Sequence, residues 1–424
     1  MMKVLVVHPA QQHSYRLATA LYRKGQLYKY VTTVYDKKGS LTHFVTKLLR
    51  GSDKIRAKGR VCQDIKEDDV VQFCEAEGLI KLLAMHISKL RPLYKKIKYH
   101  STDRFAKKVA KYAIKNHVDA VVSYDDYSSV LFTLLKENAP DILRIMDVSA
   151  ANILYMKQIY EKDMLLQPEF AKRLRKEREL VWNEGNIKRA HSEIKNTQIF
   201  LSPSKFVARS LEYSGVSKKQ IKICPYGVDV KQFDQKKYAD VQEIKKRPIR
   251  FIYVGGVKEL KGAAYLFHAI KEIPKEQAEL TIVGQYNPKD LDISPYLNRV
   301  TFTGPVLHTE VSKLLMKSDV FVFPSLGEGL SLATLEAAAC GLPLIVSENS
   351  GVNDAITEGQ EGFVIPIQST QALIEKMMWF IEHPDLIEPM GKSARAMALK
   401  YTWDSYYERI GHIFNEIEMI RWEK

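Results

Sequence analysis

Short apolar runs alternate along the whole chain with longer stretches in which apolar residues recur every three or four positions. The runs rich in β-branched and aromatic residues predict strands, and the stretches between them predict helices. Strands that alternate with helices are typical of parallel sheets with crossover helices on both faces. The predicted strands are residues 3–8, 28–35, 120–124, 142–146, 198–202 and 221–226 in the first half, and 250–255, 280–284, 300–304, 320–324, 344–347 and 363–366 in the second half.

Six predicted strands in each half suffice for one doubly wound sheet per half. The length of 424 residues agrees with two α/β domains, because single cores stop growing beyond about 250–300 residues. Residues 231–248 are polar and lack apolar periodicity, which predicts a linker. We therefore expect a first domain at residues 1–230 and a second domain at residues 249–400.

The composition excludes several classes of protein. Hydrophobic residues make up 46% of the chain, which leaves no room for extensive disorder. No apolar run reaches the roughly 18 residues that a membrane-spanning helix needs, and the apolar start is too short for a signal peptide. The four cysteines are scattered without CxxC spacing, so neither a disulfide framework nor a zinc site is expected. These features predict a cytosolic protein.

The net charge of +14 is confined to the first half. Residues 1–200 contain 37 lysines and arginines against 22 acidic residues, whereas the remaining residues are close to neutral. Such asymmetry indicates an anionic partner. No nucleic-acid recognition motif is present, and basic segments at 48–60 and 87–99 mix cations with leucine, isoleucine and tyrosine. We therefore expect peripheral docking on an anionic membrane surface, with a merely solvated basic face as the alternative.

The most informative segment, residues 321–346, is predicted to form a strand, a turn, a helix, a turn and a strand. Gly327 and Gly329 allow the backbone to turn tightly and to approach a ligand closely. Ser331 is positioned to cap the helix, which ends at the Gly-Leu-Pro sequence of residues 341–343. Since a helix start presents unpaired N–H groups and partial positive charge, we expect a diphosphate there.

Two glutamates frame this turn. Glu328 lies in the loop and Glu336 on the helix, with seven residues between them. Leu332 and Glu336 are four residues apart, so Glu336 lies on the face that leads back to the helix start, and both carboxylates can reach one ligand. Carboxylates repel phosphate but accept hydrogen bonds from hydroxyls, which suggests one on a sugar and one on a ribose. The alternative is that Glu336 pairs with a surface lysine and Glu328 is solvated.

These residues resemble glycosyltransferase family 4. The Glu-x7-Glu motif of that family corresponds to EGLSLATLE at residues 328–336, which is followed by AAACGLP. The resemblance covers residues 200–410 well and the first 200 residues weakly. Further similar stretches are LSPS at 201–204, YGVD at 226–229, VGGVKELKG at 254–262, TIVG at 281–284 and FTG at 302–304.

The resemblance implies roles for individual residues. Glu328 would contact sugar hydroxyls and Glu336 the ribose. Lys261 would supply positive charge to the diphosphate, which gains negative charge as the glycosidic bond breaks. The other donor-binding positions that it implies are Gly256, Gly284, Val306, Gly329 and the backbone amides of Leu330, Ser331 and Leu332.

Three positions depart from the pattern of the family. The usual arginine of the phosphate loop falls at Gly256, where we expect nearby Lys258 to bind the donor instead. A histidine of many relatives falls at Asp147, which would orient a hydroxyl or bind a basic group, or is a plain strand-end residue. The first loop lacks the usual glycines (PAQQHSY), so we expect His13 or Gln12 to reach the phosphate, with an ordinary loop as the alternative. Asp147 and His13 are thus further candidate catalytic residues.

The resemblance also implies the GT-B fold, with two facing Rossmann-like domains, the donor in the cleft and the last helix, residues 401–424, packing back on the first domain. The implied reaction is a retaining transfer from a nucleotide-diphosphate sugar, without a metal or a cofactor. A UDP-sugar is the expected donor, and a lipid-linked or polysaccharide glycan is the expected acceptor. The enzyme would then work in the cytoplasm at the inner face of the cell membrane.

Two other functions stay open. A non-catalytic sugar-nucleotide or anion-binding protein is favoured only if the changes at Gly256 and in the first loop have abolished transfer. A sugar-nucleotide epimerase shares the architecture, although the framing by Glu328 and Glu336 argues against it.

Overall fold

The computed structural model describes residues 1–11, 13–86, 91–287 and 292–422, and it contains two parallel sheets. The first sheet has the strand order β3-β2-β1-β4-β5-β6-β7 and the second the order β10-β9-β8-β11-β12-β13. The strands of the first sheet are β1 (Val4–Val7), β2 (Leu27–Thr32), β3 (Val70–Gln72), β4 (Ala120–Tyr124), β5 (Leu143–Asp147), β6 (Ile199–Ser202) and β7 (Ile221–Ile223). Those of the second are β8 (Ile249–Val254), β9 (Ala278–Val283), β10 (Val300–Gly304), β11 (Val320–Phe323), β12 (Leu344–Ser347) and β13 (Gly362–Ile365).

Helices cover both faces of each sheet, as parallel strands require. In the first half they are α1 (Ser14–Arg23), α2 (Leu41–Leu48), α3 (Gly51–Lys58), α4 (Glu75–His86), α5 (Arg91–Lys115), α6 (Ser128–Asn138), α7 (Ile153–Leu166), α8 (Lys172–Val181), α9 (Glu184–Asn196) and α10 (Lys205–Tyr213). In the second half they are α11 (Val241–Ile244), α12 (Ala263–Glu272), α13 (His308–Met316), α14 (Leu332–Ala339), α15 (Thr370–Glu382), α16 (Ile387–Ala398) and α17 (Trp403–Trp422).

The central strands form the cores. Every residue of β1, β4, β11 and β12 is buried, which matches the near-continuous apolar runs of strands that are covered on both faces. Burying one large aliphatic side chain contributes about 1.5–3 kcal/mol, so these runs contribute much of the stability of the two cores. All twelve predicted strands are present. Strand β3, which has three residues and pairs with β2 at the sheet edge, was not among the predicted strands.

The predicted linker, residues 231–248, packs on the second domain. The Arg247 guanidinium donates two hydrogen bonds, of 2.6 and 3.0 Å, to the carboxylate of Asp319. The buried Lys236 ammonium lies 3.6 Å from the same carboxylate. Burial disfavours the charged form of Asp319, but Arg247 and Lys236 outweigh it and lower its pKa. This buried ion cluster fixes the segment where it enters the second sheet.

The last helix returns to the first domain. Helix α17 packs along α1, where the Arg16 guanidinium lies 4.5 Å from the Trp403 ring and donates a 2.9 Å hydrogen bond to Tyr407. Gly227 is needed where the chain crosses, because a Cβ there would lie 2.4 Å from the Thr402 backbone. Over the described parts of the chain, no helix combines the length and apolarity needed to span a bilayer.

Helices α7 and α8 of the first domain reach across to the second domain. The Tyr265 hydroxyl on α12 donates a 2.5 Å hydrogen bond to the buried Asp163 carboxylate on α7. The Arg173 amide at the start of α8 donates a 3.0 Å hydrogen bond to Glu259. Phe170 lies between α7 and α8 and stacks on Phe267. The two domains therefore meet over the turn Glu259–Lys261, which immediately follows the loop after β8.

Candidate functional site

The loop between β11 and α14 lies where the two domains meet. Ser331 caps α14 as predicted, since its hydroxyl accepts a 3.2 Å hydrogen bond from the Thr334 amide. A Cβ on Gly329 would lie 1.9 Å from the Ser149 carbonyl oxygen, and one on Gly327 would lie 2.6 Å from the end of Met156. The sequence predicts that these glycines allow close approach of a ligand. In the structure, they allow close approach of the first domain. We call residues 327–331 the donor loop.

Lys261 and Glu328 form an ion pair beside the donor loop. Lys261 ends a short 3-10 turn that follows β8, and Gly262 after it has φ +72°, where a Cβ would lie 1.9 Å from the Pro324 carbonyl oxygen. Glycine is therefore required there for the turn to press against the end of β11. The Glu328 side chain is 15% exposed. The two residues assigned to sugar and diphosphate thus lie in direct contact.

The environment of Lys261 makes its charge sensitive to pH. Burial, and then the positive charge of Lys258, lower the pKa of Lys261 to about 8. The Glu328 carboxylate acts in the opposite direction, because a neighbouring anion favours the ammonium form. Glu328 is held in turn by the Ser325 hydroxyl at 3.2 Å. A phosphate placed here would replace Glu328 as a partner for a partly desolvated ammonium.

The amides around the start of α14 differ in their availability. The Ser331 N–H donates a 3.1 Å hydrogen bond to the Ser350 carbonyl, and the Glu328 N–H donates a 2.9 Å bond to the Asn349 carbonyl. The expectation that the Ser331 amide binds phosphate therefore conflicts with this structure. Within the described residues, the amides of Leu330 and Leu332 have no hydrogen-bond acceptor. Those two remain available to an anion.

Glu336 pairs with a residue that the sequence analysis missed. Its carboxylate lies 2.9 Å from His308 Nε2, and the His308 ring contacts Phe233 edge-on. Burial raises the pKa of Glu336, and the hydrogen bond from His308 partly opposes this shift. The predicted alternative, pairing with a surface lysine, is not what the structure shows. His308 begins α13 two residues after Val306, which is partly exposed. Because Val306 was an implied donor-binding position, its closeness to His308 was the signal in the sequence that could have identified His308.

The remaining donor-side residues line the loops after β8 and β9. Gly284 has φ +149°, and a Cβ there would lie 2.0 Å from the Gly255 carbonyl oxygen, so the two loops touch. Gly256 is less constrained, because a Cβ would meet first the flexible end of Lys258 at 3.3 Å. The missing arginine at Gly256 therefore has no steric cause. Lys258 lies close enough to Lys261 to lower its pKa.

His13 and Asp147, the two tentative catalytic residues, contact each other. His13 Nε2 lies 3.2 Å from the Asp147 carboxylate and 2.9 Å from the Tyr226 hydroxyl. Burial disfavours the imidazolium, but Asp147 and then Asp125 outweigh it and raise the pKa of His13. His13 is thus engaged within the first domain, at the carboxyl ends of β1 and β5. Gln12, the other residue expected to reach phosphate, lies outside the described residues.

No group of three or more histidine, cysteine, aspartate or glutamate side chains is arranged to hold a metal ion in the described ranges. Asp125 and Asp126 follow β4, but the Asp125 carboxylate accepts two hydrogen bonds from Ser149, at 2.9 Å from the amide and 2.8 Å from the hydroxyl. Ser149 is also the residue whose carbonyl oxygen meets Gly329. Asp125 therefore holds the first-domain loop that the donor loop touches.

The architecture matches solved glycosyltransferase-type structures over the whole chain. A sucrose-phosphate synthase from Thermosynechococcus elongatus aligns with a TM-score of 0.68 at 17% identity, covering 99% of this chain and 100% of that one. Anabaena HepE in complex with UDP-glucose aligns with a TM-score of 0.61 at 14% identity, covering 98% and 100%. The chain has the GT-B fold. The fold class predicted from the sequence is thereby confirmed.

The match to a protein-family model lies in the second half of this GT-B chain. Residues 248–383 match the family model described as Glycosyl transferases group 1. The D-inositol 3-phosphate glycosyltransferase of Paenarthrobacter aurescens is 25% identical over 207 residues, which cover 46% of this chain and 51% of that protein. An N,N'-diacetylbacillosaminyl-diphospho-undecaprenol alpha-1,3-N-acetylgalactosaminyltransferase of Campylobacter jejuni is 27% identical over 217 residues, covering 47% and 56%. The chain spans about half the length of the curated relatives it matches.

Proposed function

We propose that the chain is a glycosyltransferase of family 4 that moves a sugar from a UDP-sugar to a hydroxyl of a glycan, with retention of configuration and without a metal. The observation that carries the proposal is the Lys261–Glu328 pair beside the start of α14, at the meeting of two domains. The match of residues 248–383 to glycosyl transferases group 1 supports the reaction class. Solved complexes of Anabaena HepE with UDP and with UDP-glucose support the donor.

Lys261 and the start of α14 would stabilise the leaving diphosphate. The ammonium and the free amides of Leu330 and Leu332 present positive charge where negative charge develops as the sugar leaves. Glu328 would exchange its contact with Lys261 for hydrogen bonds from sugar hydroxyls. Glu336, with His308, would accept hydrogen bonds from the ribose. Each group acts by position and charge, so no covalent nucleophile is required.

In the proposed retaining reaction the departing phosphate accepts the proton of the acceptor hydroxyl on the same face of the sugar. Asp147 and His13 lie at the carboxyl ends of strands in the first sheet. In the sequence, Asp147 is two residues before Ser149, which contacts the donor loop. Their ion pair would orient the acceptor hydroxyl without taking its proton. The close packing of the donor loop on the first domain would exclude water and favour transfer over hydrolysis.

The test of transfer uses Lys261→Ala and Glu328→Gln, with the exposed Lys313→Ala as a matched control. Each protein is incubated with a panel of UDP-sugars and total lipid extract. We expect a labelled lipid product from the natural sequence and from the control, and a loss of about 100-fold in both site variants, the scale of one lost transition-state contact. A changed donor without a labelled lipid would indicate an epimerase, and binding without turnover would indicate a binding protein.

A glycan acceptor attached to lipid is proposed because of an exposed face of the first domain. Phe44 and Leu48 of α2 are 61% and 67% exposed, and Leu83 of α4 is also exposed. Lys47 and Arg50 lie beside them and are exposed as well. The Campylobacter jejuni relative is named for an undecaprenol-linked substrate, which agrees with such an acceptor. Of the basic segments that predicted this contact, residues 87–90 lie outside the described residues.

Co-sedimentation with liposomes tests the membrane contact. We expect the protein to pellet with vesicles that contain anionic lipid and to stay in the supernatant with neutral vesicles. The double variant Phe44→Ser with Leu48→Ser should pellet much less, since each side chain would lose apolar contact with the bilayer. Leu297→Ser, an equally polar change at an exposed position of the second domain, is the control. Equal pelleting of all three proteins would argue against the docking face.

A further inference from the structure

A cavity of about 280 Å³ lies in the first domain, between α7, α9 and the carboxyl ends of β4 and β5. Leu260 of the second domain completes its wall. Ligand pockets commonly range from about 300 to 1,000 Å³, so the cavity is suited to one small ligand or one part of a larger ligand. No residue that the sequence analysis assigned to the donor lines it.

Two contacts join this cavity to the donor site. Leu260 precedes Lys261, and its carbonyl oxygen accepts a 3.0 Å hydrogen bond from the Leu326 amide and a 3.2 Å bond from the Ser325 hydroxyl. On the other side, the cavity-lining Met156 lies against Gly327 of the donor loop. The wall of the cavity and the donor loop are therefore adjacent. A molecule in the cavity would lie beside the sugar that Glu328 is expected to hold.

The cavity lining combines aromatic and apolar side chains with acidic ones. The Trp182 ring stacks on Tyr160 with ring centres 5.6 Å apart, and Met156 adds to the apolar lining. Asp125 and the buried Glu193 also line the cavity, and Glu193 accepts hydrogen bonds of 3.0 and 3.2 Å from the first two amides of α6. A carboxylate has about four acceptor positions, so Asp125 retains capacity beyond its bonds to Ser149.

This chemistry selects an uncharged polyhydroxylated ring. A sugar presents C–H groups to an aromatic face and hydroxyl donors to carboxylates, whereas the ionised Asp125 would repel a phosphate. Burial raises the pKa of Glu193 to about 8, so Glu193 is largely uncharged at neutral pH and does not add to this repulsion. Burial, and then Asp126, raise the pKa of Asp125 to about 6. Asp125 therefore remains largely an acceptor at neutral pH. The cavity thus favours a neutral sugar over the phosphorylated part of a lipid-linked acceptor.

We propose that the cavity binds an uncharged sugar ring of the acceptor, with hydroxyl groups bonded to Asp125 and the ring face against Trp182. The inference rests on the proposed transferase function and names the acceptor side of the same site. The reacting hydroxyl would point past Met156 toward the donor loop. The phosphate and lipid portions of the acceptor would lie outside the cavity.

Binding of simple glycosides, measured apart from turnover, tests the proposal. The probes are methyl α-glucoside, methyl α-galactoside and methyl N-acetyl-α-glucosaminide, with glucose 6-phosphate as the charged comparison, detected by saturation-transfer NMR in the presence of UDP. Ala190→Phe fills the cavity from α9, and His191→Phe adds the same ring at the neighbouring exposed position. UDP affinity is measured for each protein by calorimetry.

We expect at least one methyl glycoside to bind and glucose 6-phosphate to bind more weakly. Ala190→Phe should abolish glycoside binding, whereas His191→Phe should change it by no more than about twofold. Asp125→Asn should weaken it about tenfold or more, the scale of a hydrogen bond to a charged group. UDP affinity should stay within about twofold in all variants, as for changes remote from a binding site.

Several outcomes would overturn the proposal. These are no glycoside binding to a protein that binds UDP, equal glycoside binding after Ala190→Phe, and tighter binding of glucose 6-phosphate. A parallel loss of UDP affinity in Asp125→Asn would show that Asp125 acts through Ser149 and the donor loop, and it would remove Asp125 from the sugar contact. The proposed transferase function can fail independently of this proposal. In that case the protein would not bind UDP, whether or not it binds the glycosides.

Discussion

Replacing Gly329 by alanine tests how closely the two domains must approach at the donor loop. A Cβ on Gly329 would lie 1.9 Å from the Ser149 carbonyl oxygen, and Cβ atoms essentially never come within 3.0 Å of another heavy atom. The two backbones must therefore separate by about 1 Å, since packed interiors leave no slack for such an overlap. Gly329 does not have a positive φ, so the effect would be steric and not conformational.

The first domain should give way, because the donor loop is fixed on both flanks. The Glu328 and Ser331 amides donate hydrogen bonds of 2.9 and 3.1 Å to the segment after β12. Displacing the first domain would break the 2.7 Å hydrogen bond from the Ser204 hydroxyl to the Gly329 carbonyl, a loss of about 1 kcal/mol. A misplacement of about 1 Å between reacting groups can lower a rate about 100-fold. The donor contacts lie mostly on the second domain and should persist.

The assay compares UDP affinity, measured by calorimetry, with the rate of sugar transfer from the active UDP-sugar. We expect Gly329→Ala to lose about 100-fold in turnover while UDP affinity changes by no more than about twofold. Gly185→Ala is the matched control, since its φ is also not positive and its Cβ would meet only the Asn183 side chain, at 3.3 Å. Near-normal turnover of Gly329→Ala would refute the requirement for close packing on Ser149.

Three further predictions address charge and stability. UDP affinity should fall as the pH rises through about 8, the pKa of Lys261, because the neutral amine no longer attracts the diphosphate; in calorimetry, Lys261→Ala should bind weakly and without this pH dependence. Asp319→Ala should lower the free energy of unfolding by about 3–5 kcal/mol at neutral pH, since Lys236 is left buried without its carboxylate. The folded pKa of Asp319 is lowered, so its contribution is present above the unfolded pKa of about 3.9 and is lost as the pH falls through the folded value, where denaturation curves of the two proteins should converge. Gly256→Arg should raise UDP affinity about tenfold, the scale of one charge-assisted hydrogen bond, and unchanged affinity would show that Lys258 already supplies this charge.

The strands and the donor loop could be predicted because their signals are local. Apolar runs such as the one in β11 predict buried strands, and the Ser331 cap follows from the residues that flank it. Strand β3 could not be found in this way, since Val70–Gln72 is three residues long and follows an acidic turn. Its place at the sheet edge depends on pairing with β2. The short length of β3 and the acidic residues before it therefore kept this strand from being predicted by apolar periodicity.

The pairing of the site residues could not be read from the sequence, because it depends on contacts between distant parts of the chain. Lys261 and Glu328 are 67 positions apart, and His308 and Glu336 are 28 apart. The contact between His13 and Asp147 joins residues 134 positions apart. Of these residues, all except His308 were candidates from the sequence. Which carboxylate pairs with which cation is decided by the order of strands in the two sheets.

The same topology links the acceptor cavity to the packing of the donor loop. Ser149 donates hydrogen bonds to Asp125, and its carbonyl oxygen packs against Gly329. One loop of the first domain therefore contacts both an acidic residue of the cavity and the donor loop. An acceptor sugar that draws Asp125 toward itself would act on the same loop that packs against Gly329. Binding of the acceptor sugar would then favour the packed arrangement of the domains that transfer requires, because Leu260 of the second domain completes the wall of its cavity.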